Sequence, residues 1–312
     1  MTSRREWIAG VLLAPLAGAT SRWRSGGALI ETHVHLFSGD LVHFPYSVNA
    51  PYRPEAYPLE AFVRFAEEAR IDHAIIVHPE PYQDDHRYLE YCFDHEPTKG
   101  FFKGTCLFDP IDPKTPRRMQ ALVRRNPGRI VALRIHELHA PGTASTTTGA
   151  IRDRDLKNRQ MTQTWRAAHE LGLAIQMHFI PHYAPQIGDL ATKFQDMPII
   201  LDHLARPGQG TVAEYNEVVR LAELPRVYMK FSQAGVQSSS KQGYPYLDAK
   251  PIVKRVYEAF GADRIIAGGL GGSRESFEKF VELLEIMFDF TPEADRAKIR
   301  GLNAKKLFAF QG

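Results

Sequence analysis

Cysteine is scarce in this chain, which has 312 residues and only two cysteines, Cys92 and Cys106. Two cysteines without a CxxC spacing cannot form the disulfide framework that stabilises small secreted domains. They fall in segments whose apolar patterns predict a helix and a strand. We therefore expect two buried thiols and a fold that depends on its hydrophobic core, which 44% hydrophobic residues can supply.

The chain also lacks a large excess of one charge. It has 39 Lys and Arg residues and 36 Asp and Glu residues, so its formal net charge is +3. No stretch contains five or six consecutive basic residues, so the sequence predicts no nucleic-acid partner. No apolar run reaches the roughly 20 residues that span a bilayer, and we expect no integral membrane segment. These properties leave the oligomeric state open.

The first 19 residues have the composition of a targeting segment. A basic start is followed by a short apolar run and by Ala17-Gly18-Ala19, a pattern typical of a signal peptide. Arg4 and Arg5 resemble the twin-arginine export motif, which serves proteins that fold before export. We predict a signal peptide at 1–19, a linker at 20–28 and a domain at 29–312 located in the periplasm. Without a functional leader the protein would be cytoplasmic.

Short apolar, β-branched runs alternate with amphipathic helical patterns from residue 29 onward, which predicts βαβ units and a parallel sheet. Eight such runs, and no GxGxxG turn after an early strand, favour a single-domain (β/α)₈ TIM barrel over a doubly wound sheet. Long loops at 37–57 and 139–155 would lie at the barrel mouth, where active sites sit. The predicted strands are 29–36, 74–78, 102–107, 130–136, 174–179, 199–203, 227–231 and 265–268.

Histidines fall at the carboxyl ends of these strands. His33 and His35 end the first strand, and period-two geometry directs both side chains to one face. Several imidazoles converging on one barrel mouth indicate a site, because each would otherwise need a separate buried partner. Imidazole is the commonest metal ligand, and three with an open fourth position form a hydrolytic zinc arrangement. The other strand-end histidines are His78, His136, His178 and His203.

An arginine on the fourth strand points to an anion. Arg134 lies two residues before His136 and shares its face, and a buried arginine requires an anionic partner. That partner is either a substrate carboxylate or a neighbouring Asp or Glu. With His78 and Tyr82, near the end of the second strand, Arg134 forms the predicted substrate-binding set. Lys230 on the seventh strand cannot be oriented from the sequence.

Four segments resemble the amidohydrolase-2 group of the amidohydrolase superfamily: ETHVHLF at 31–37, LDHLARP at 201–207, VYMKFS at 227–232 and GLNAKKLF at 301–308. The resemblance extends over about residues 29–310. The group contains metal-dependent hydrolases and decarboxylases, and lactonases that act on pyrone dicarboxylates. One small departure is Glu31, where the group usually has aspartate before the HxH pair.

The resemblance implies roles for four histidines, and a fifth, His136, is predicted from its position at a strand end. His33, His35 and His178 would bind a divalent metal, which we expect to be zinc, with manganese as the alternative. His203 would be a ligand or a proton-transfer group, and we predict His203 and His136 as the catalytic residues. A metal-free site is a further alternative, in which the histidines polarise a substrate carbonyl directly.

A larger departure concerns the eighth strand, which in the group typically ends in Gly-Ser-Asp with the aspartate bound to metal or activating water. Leu270 stands in the corresponding stretch here, and leucine can neither bind a metal nor accept a proton. Glu137 and Asp202 lie near strand ends, but pleat alternation predicts that they point away from the adjacent histidines. We therefore expect weaker metal binding than in relatives that have the aspartate.

The residues favour hydrolysis of a lactone, or of a related C–O or C–N bond, in a small carboxylated substrate with the help of a metal. Decarboxylation of an unsaturated or aromatic acid is the first alternative, because it depends less on a water-activating base. The second alternative is an exported barrel that binds a ligand without turnover, which the leucine at position 270 supports.

The predicted signal peptide can be tested independently of the catalytic chemistry. If it is a functional twin-arginine signal, the mature protein begins near Thr20 and replacement of Arg4 and Arg5 by lysine traps the precursor inside the cell. Mass spectrometry of the N-terminal peptide from periplasmic and cytoplasmic fractions measures both effects. Periplasmic protein that retains Met1 would contradict the cleavage.

Overall fold

A computed structural model of the chain describes residues 27–140, 142–143, 155–269 and 272–311. The predicted signal peptide, most of the linker, much of the predicted loop at 139–155 and Leu270 lie outside these residues. Eight parallel strands form one sheet, and neighbours in sequence are neighbours in the sheet. The strands are β1 Ile30–Val34, β2 His73–Val77, β3 Phe102–Leu107, β4 Ile130–Glu137, β5 Ala174–Phe179, β6 Ile199–Leu201, β7 Val227–Phe231 and β8 Ile265–Ala267.

The sheet curls into a nearly closed barrel, and side chains join its first and last strands. Thr32 donates a hydrogen bond from Oγ1 to the carbonyl of Ala267 at 2.7 Å. The backbone N–H of Gly269 donates to both carboxylate oxygens of Glu31 at 2.9 and 3.0 Å. The predicted single-domain (β/α)₈ barrel is confirmed, and every predicted strand agrees with an observed one to within two residues at each end.

Helices cover the outside of the barrel because their apolar stripes pack on the sheet. In α1, for example, Leu59, Phe62 and Phe65 are buried. Within the described ranges, no helix has the length and apolarity needed to cross a membrane. The helices are α1 Leu59–Ala69, α2 Arg87–Asp94, α3 Thr115–Arg125, α4 Arg159–Glu170, α5 Ala184–Ala191, α6 Val212–Arg220, α7 Gln233–Ser239, α8 Lys250–Phe260, α9 Arg274–Met287, α10 Glu293–Ala297 and α11 Asn303–Leu307. Both cysteines are free and buried, as predicted.

The barrel interior changes from apolar to polar toward the carboxyl ends of the strands. Alternate residues of a strand face the interior and form layers. The floor layer is apolar and packs with residues of the C-terminal segment: Ile30, Ile75, Ala132, Ala174, Ile200, Ile266, Phe308 and Phe310. Further toward the carboxyl ends, four buried side chains in the interior carry a charge or an amide: Arg134, Gln176, Asp202 and Lys230. Above them lie the strand-end histidines.

The sixth strand ends earlier than predicted, and this changes the direction of two side chains. β6 stops at Leu201, and the chain turns through Asp202–Ala205 with left-handed φ angles from His203 to Arg206. Left-handed conformations are costly for non-glycine residues and are often kept at functional sites. The predicted alternation of Asp202 and His203 is therefore wrong, because the pleat has already ended, and both side chains are buried.

The C-terminal segment that resembles the family motif closes the barrel from the floor side. Asn303 donates from Nδ2 to the carbonyls of Ala262 and Ile265, both at 2.7 Å. Gly301 lies so close to the start of β1 that a Cβ atom there would be 1.9 Å from the carbonyl oxygen of Ala28. Backbone meets backbone at this point, so only glycine fits without a shift of β1 or the segment.

We predict that Gly301→Ala lowers the free energy of unfolding by about 1–3 kcal/mol, the usual cost of overpacking. The melting temperature should fall by roughly 5 °C in a chain of this size. Gly243→Ala is the matched control, because a Cβ at Gly243 meets nothing within 4 Å. Thermal unfolding followed by circular dichroism compares the two, and equal melting temperatures would show that the close approach carries no strain.

Candidate active site

The HxH histidines of the first strand converge as predicted. Nε2 of His33 lies 3.3 Å from Nε2 of His35. The Nδ1 atom of His35 lies 2.7 Å from the carbonyl oxygen of Val77. A carbonyl only accepts, so His35 carries its proton on Nδ1 and presents a lone pair on Nε2. One ring of the pair is thus fixed in the tautomer that a metal ligand needs.

Five imidazoles follow one another across the barrel mouth. His203 is central, because its ring centroid is 4.6 Å from that of His33 and 5.1 Å from that of His178. Its Nδ1 lies 2.7 Å from the Ser232 hydroxyl oxygen. His136 extends the row, 5.2 Å from His178, and its Nε2 lies 2.8 Å from Oε1 of Glu80. The order along the row is His35, His33, His203, His178, His136.

His178 lies between two arginines. Nε of Arg206 lies 2.8 Å from its Nε2, and Nη2 of Arg134 lies 3.2 Å from its Nδ1. Guanidinium groups only donate, whereas a neutral imidazole accepts at a single nitrogen, so His178 can accept fully from only one of them. In this arrangement the ring interacts with cations rather than presenting a free lone pair to a metal.

The predicted metal set is therefore divided in this structure. Some sets of three potential ligands have atoms that all lie within 4.8 Å of one another. Among the described residues, no such set contains His33, His35 and His178 together. The sets that do occur combine a carboxylate with two imidazoles: His33, Asp202 and His203, and Glu80, His136 and His178. The assignment of His178 as a metal ligand stays a prediction.

His78 and Tyr82, predicted to bind substrate, lie in a buried cluster under the loop that follows β1. Nε2 of His78 lies 3.0 Å from the carbonyl oxygen of Gln83, and its ring packs 4.3 Å from that of His86. The hydroxyl oxygen of Tyr82 accepts from the backbone N–H of Ser38 at 2.7 Å. The Tyr82 contact connects the loop after β1 to the residues after β2, and the substrate-binding role of His78 and Tyr82 stays a prediction.

Asp202 is the anionic centre below the imidazoles. Its Oδ2 accepts from Nε of Arg134 at 3.1 Å and from Nε2 of Gln176 at 3.0 Å. Its Oδ1 lies 3.2 Å from Nζ of Lys230. All four side chains are at most 3% exposed. A neighbouring carboxylate is therefore an anionic partner of Arg134, the second of the two possibilities that the sequence left open.

Burial and positive charge lower the pKa values of four imidazoles of the row and keep them neutral at physiological pH: His33, His35, His178 and His203. Burial is the main cause that lowers the pKa of His35 to about 4 and that of His203 to about 3, and the charge of Arg134 lowers both further. The pKa values of His33 and His178 are also held well below the usual range, first by burial and then by nearby cations. For Asp202, burial would raise the pKa, but Lys230, Arg134 and other neighbours outweigh it and lower it.

The His33–His35 pair fits two positions of a metal site. Zinc–nitrogen bonds of about 2.0–2.1 Å at a tetrahedral angle separate two nitrogens by about 3.3–3.4 Å, which agrees with the observed 3.3 Å. The tautomer of His35 fits as well. The strand-eight carboxylate of the group's pattern is absent from the sequence.

The family assignment follows from comparison with known proteins. The family model of the amidohydrolases matches residues 30–310, so this chain belongs to the amidohydrolase family. A curated relative, the 4-sulfomuconolactone hydrolase of Rhizobium radiobacter, is 27% identical over 298 residues, which cover 89% of each chain. The chain is accordingly an enzyme of the hydrolase class, in a family whose members depend on metals.

Solved structures share the fold. A structure from Pseudomonas putida assigned as a 2-pyrone-4,6-dicarboxylic acid hydrolase has a TM-score of 0.71 at 20% identity, over 91% of this chain and 98% of that one. An amidohydrolase from Burkholderia multivorans with bound zinc has a TM-score of 0.68 at 14% identity, over 91% of this chain and all of that one. At these identities the likeness concerns the barrel alone.

Sequence reasoning missed Glu80 and Arg206, which both reach the row of imidazoles. Arg206 lies within the LDHLARP segment that carried the family resemblance, so the motif held a signal for it. Glu80 lies three residues after the second strand, in a turn at Glu80–Tyr82. Residues that follow barrel strands line the face where active sites sit, so its position was the signal for it.

Proposed function

We propose that this protein hydrolyses the lactone ring of a small substrate that carries a carboxylate or sulfonate group. The observation that carries the proposal is the position of His178 between the guanidinium groups of Arg134 and Arg206, 3.2 and 2.8 Å away. The 4-sulfomuconolactone hydrolase relative supports it, because its name describes a lactone with acidic substituents.

Arg206 is the group suited to bind the acidic substituent. Its side chain is partly exposed, whereas that of Arg134 is only 3% exposed and bound to Asp202. A guanidinium presents a planar fork that matches the oxygens of a carboxylate or sulfonate. Since His178 can accept from only one arginine at a time, a substrate anion could receive N–H donors of Arg206 while Arg134 continues to hold the ring.

Ring opening requires a proton to move from water to the leaving oxygen. The water oxygen bonds to the lactone carbonyl carbon, the ring C–O bond breaks, and the alkoxide that leaves takes up a proton. A neutral imidazole can accept the proton of water and return it to the alkoxide, and the charge of a bound anionic substrate would raise the low pKa of His203 toward the value that this transfer needs. We assign this transfer to His203, which lies next to Ser232, and to His136, which lies next to Glu80.

A divalent metal, zinc in the first instance and manganese as the alternative, would be held by His33 and His35. When bound, it would polarise the lactone carbonyl as a Lewis acid. The metal-free alternative assigns this polarisation to the imidazoles themselves. Assay of protein treated with chelator, with and without added zinc or manganese, separates the two.

Decarboxylation is the alternative reaction for the same site. The leucine at position 270 removes the usual water-activating carboxylate from the sequence, and loss of CO₂ needs no such base. Product mass separates the reactions, because hydrolysis adds the mass of water and decarboxylation removes that of CO₂. A barrel that only binds its ligand would produce neither change.

The proposed substrate class predicts the effect of one substitution. Arg206→Gln should raise KM for lactones with an acidic group by roughly 10- to 100-fold, since a charge-assisted hydrogen bond contributes about 1.5–3 kcal/mol. Esterified lactones should be poor substrates of both proteins. Arg220→Gln is the matched control, because Arg220 is an exposed arginine paired with Glu217. Failure of wild type to open any acidic lactone, with or without metal, would refute the proposed function.

A further inference from the structure

We propose that Lys230 is a positioning residue that fixes the tautomer of His33 and so limits how readily the His33–His35 pair accepts a metal ion. Lys230 lies on β7 in the charged layer of the barrel and is fully buried. The proposal concerns the same site as the proposed function, but it rests on hydrogen-bond geometry rather than on the substrate.

Three acceptor atoms surround the Lys230 ammonium, which has three N–H donors and no acceptor. Nζ lies 3.1 Å from the carbonyl oxygen of Thr32, to which it donates. It lies 3.2 Å from Oδ1 of Asp202 and 3.4 Å from Nδ1 of His33. The contacts to Thr32 and His33 have hydrogen-bond geometry, whereas the contact to Asp202 is an ion pair. The acceptor on His33 is the nitrogen that faces away from His35.

The position of the His33 proton follows from this contact. A ring nitrogen that accepts from an ammonium carries a lone pair, so the proton of neutral His33 is on Nε2. That Nε2 lies 3.3 Å from Nε2 of His35, which carries a lone pair because its Nδ1 donates to Val77. A directed chain results in which Lys230 donates to His33, His33 to His35 and His35 to Val77.

This chain opposes metal binding at the pair. All four ring nitrogens take part in it, so neither His33 nor His35 keeps a free lone pair. A metal at the two Nε2 atoms would require the His33 proton to be on Nδ1, where it would face the ammonium at 3.4 Å. The Nδ1–H of His33 and the N–H groups of Lys230 are both donors, so no hydrogen bond could form between them. The positive charges of Lys230 and the metal would also repel each other.

Asp202 shows what Lys230 prevents. Ligating histidines usually donate their second N–H to a carboxylate or carbonyl, which fixes the tautomer and strengthens the ligand. Oδ1 of Asp202 lies only 3.8 Å from Nδ1 of His33, but it forms an ion pair with Lys230 instead. Without the ammonium, this carboxylate could approach His33 and support the metal-binding tautomer.

Nitrogen-15 NMR of the histidine rings tests the tautomer directly in metal-free full-length protein. We expect wild type to show one ring of the pair protonated at Nε2, which is His33, and one at Nδ1, which is His35; single His33→Gln and His35→Gln variants assign the signals. In Lys230→Met the His33 proton should move to Nδ1. Lys103→Met, on β3 with its Nζ bonded to the Gly128 carbonyl, should leave both rings unchanged.

Zinc titration provides the second measurement. We expect Lys230→Met to bind zinc at least 10-fold more tightly than wild type, in the range of second-shell effects. Lys230→Arg, which keeps the cation, and Lys103→Met should resemble wild type. A wild-type His33 protonated at Nδ1, or equal zinc affinity of wild type and Lys230→Met, would overturn the proposal. If Lys230→Met does not fold, the wild-type spectrum decides alone. Neither measurement uses a substrate, so failure here is distinct from failure of the proposed function.

Discussion

The ion pairs of the buried Asp202 carboxylate with Arg134 and Lys230 hold the charged part of the site together. The carboxylate is fully buried and binds Arg134 from β4, Gln176 from β5 and Lys230 from β7. Two cations inside a barrel would be unstable without an anion between them, since removing one partner of a buried ion pair typically costs about 3–5 kcal/mol. Asp202 therefore determines where these cations lie beneath the row of imidazoles.

The properties of the imidazoles follow from this layer. Arg134 reaches His178 from below and Lys230 reaches His33, so the rings are oriented by donors and surrounded by positive charge. Burial and these cations lower the pKa values of His33 and His178 and keep the rings neutral. Neutral imidazoles can accept protons, and the positive surroundings favour an anionic substrate. A lactone with an acidic substituent matches both features.

The sequence was sufficient for the barrel and for part of the site. Short apolar runs that alternate with helical patterns predicted all eight strands, and period-two geometry predicted that His33 and His35 lie together. Both features depend on local periodicity. The pairing of Asp202 with Lys230 was not predictable in this way. It depends on β6 ending at Leu201 and on left-handed residues after it, which no period reveals. Periodicity predicts which face of its own strand a residue lies on. Which residue of a distant strand it contacts depends on how the two strands are aligned and on how deep each residue lies in the barrel.

Equilibrium unfolding of Asp202→Asn measures how far the two buried cations depend on their anion. We expect the free energy of unfolding to fall by about 3–5 kcal/mol, because Arg134 and Lys230 would remain buried without that anion. The double variant Asp202→Asn with Lys230→Met should recover part of that loss, since one uncompensated cation is removed. Asp196→Asn, an exposed aspartate paired with His169, should leave the free energy of unfolding unchanged. Equal stability of Asp202→Asn and wild type would show that the carboxylate does not hold the two cations in the barrel.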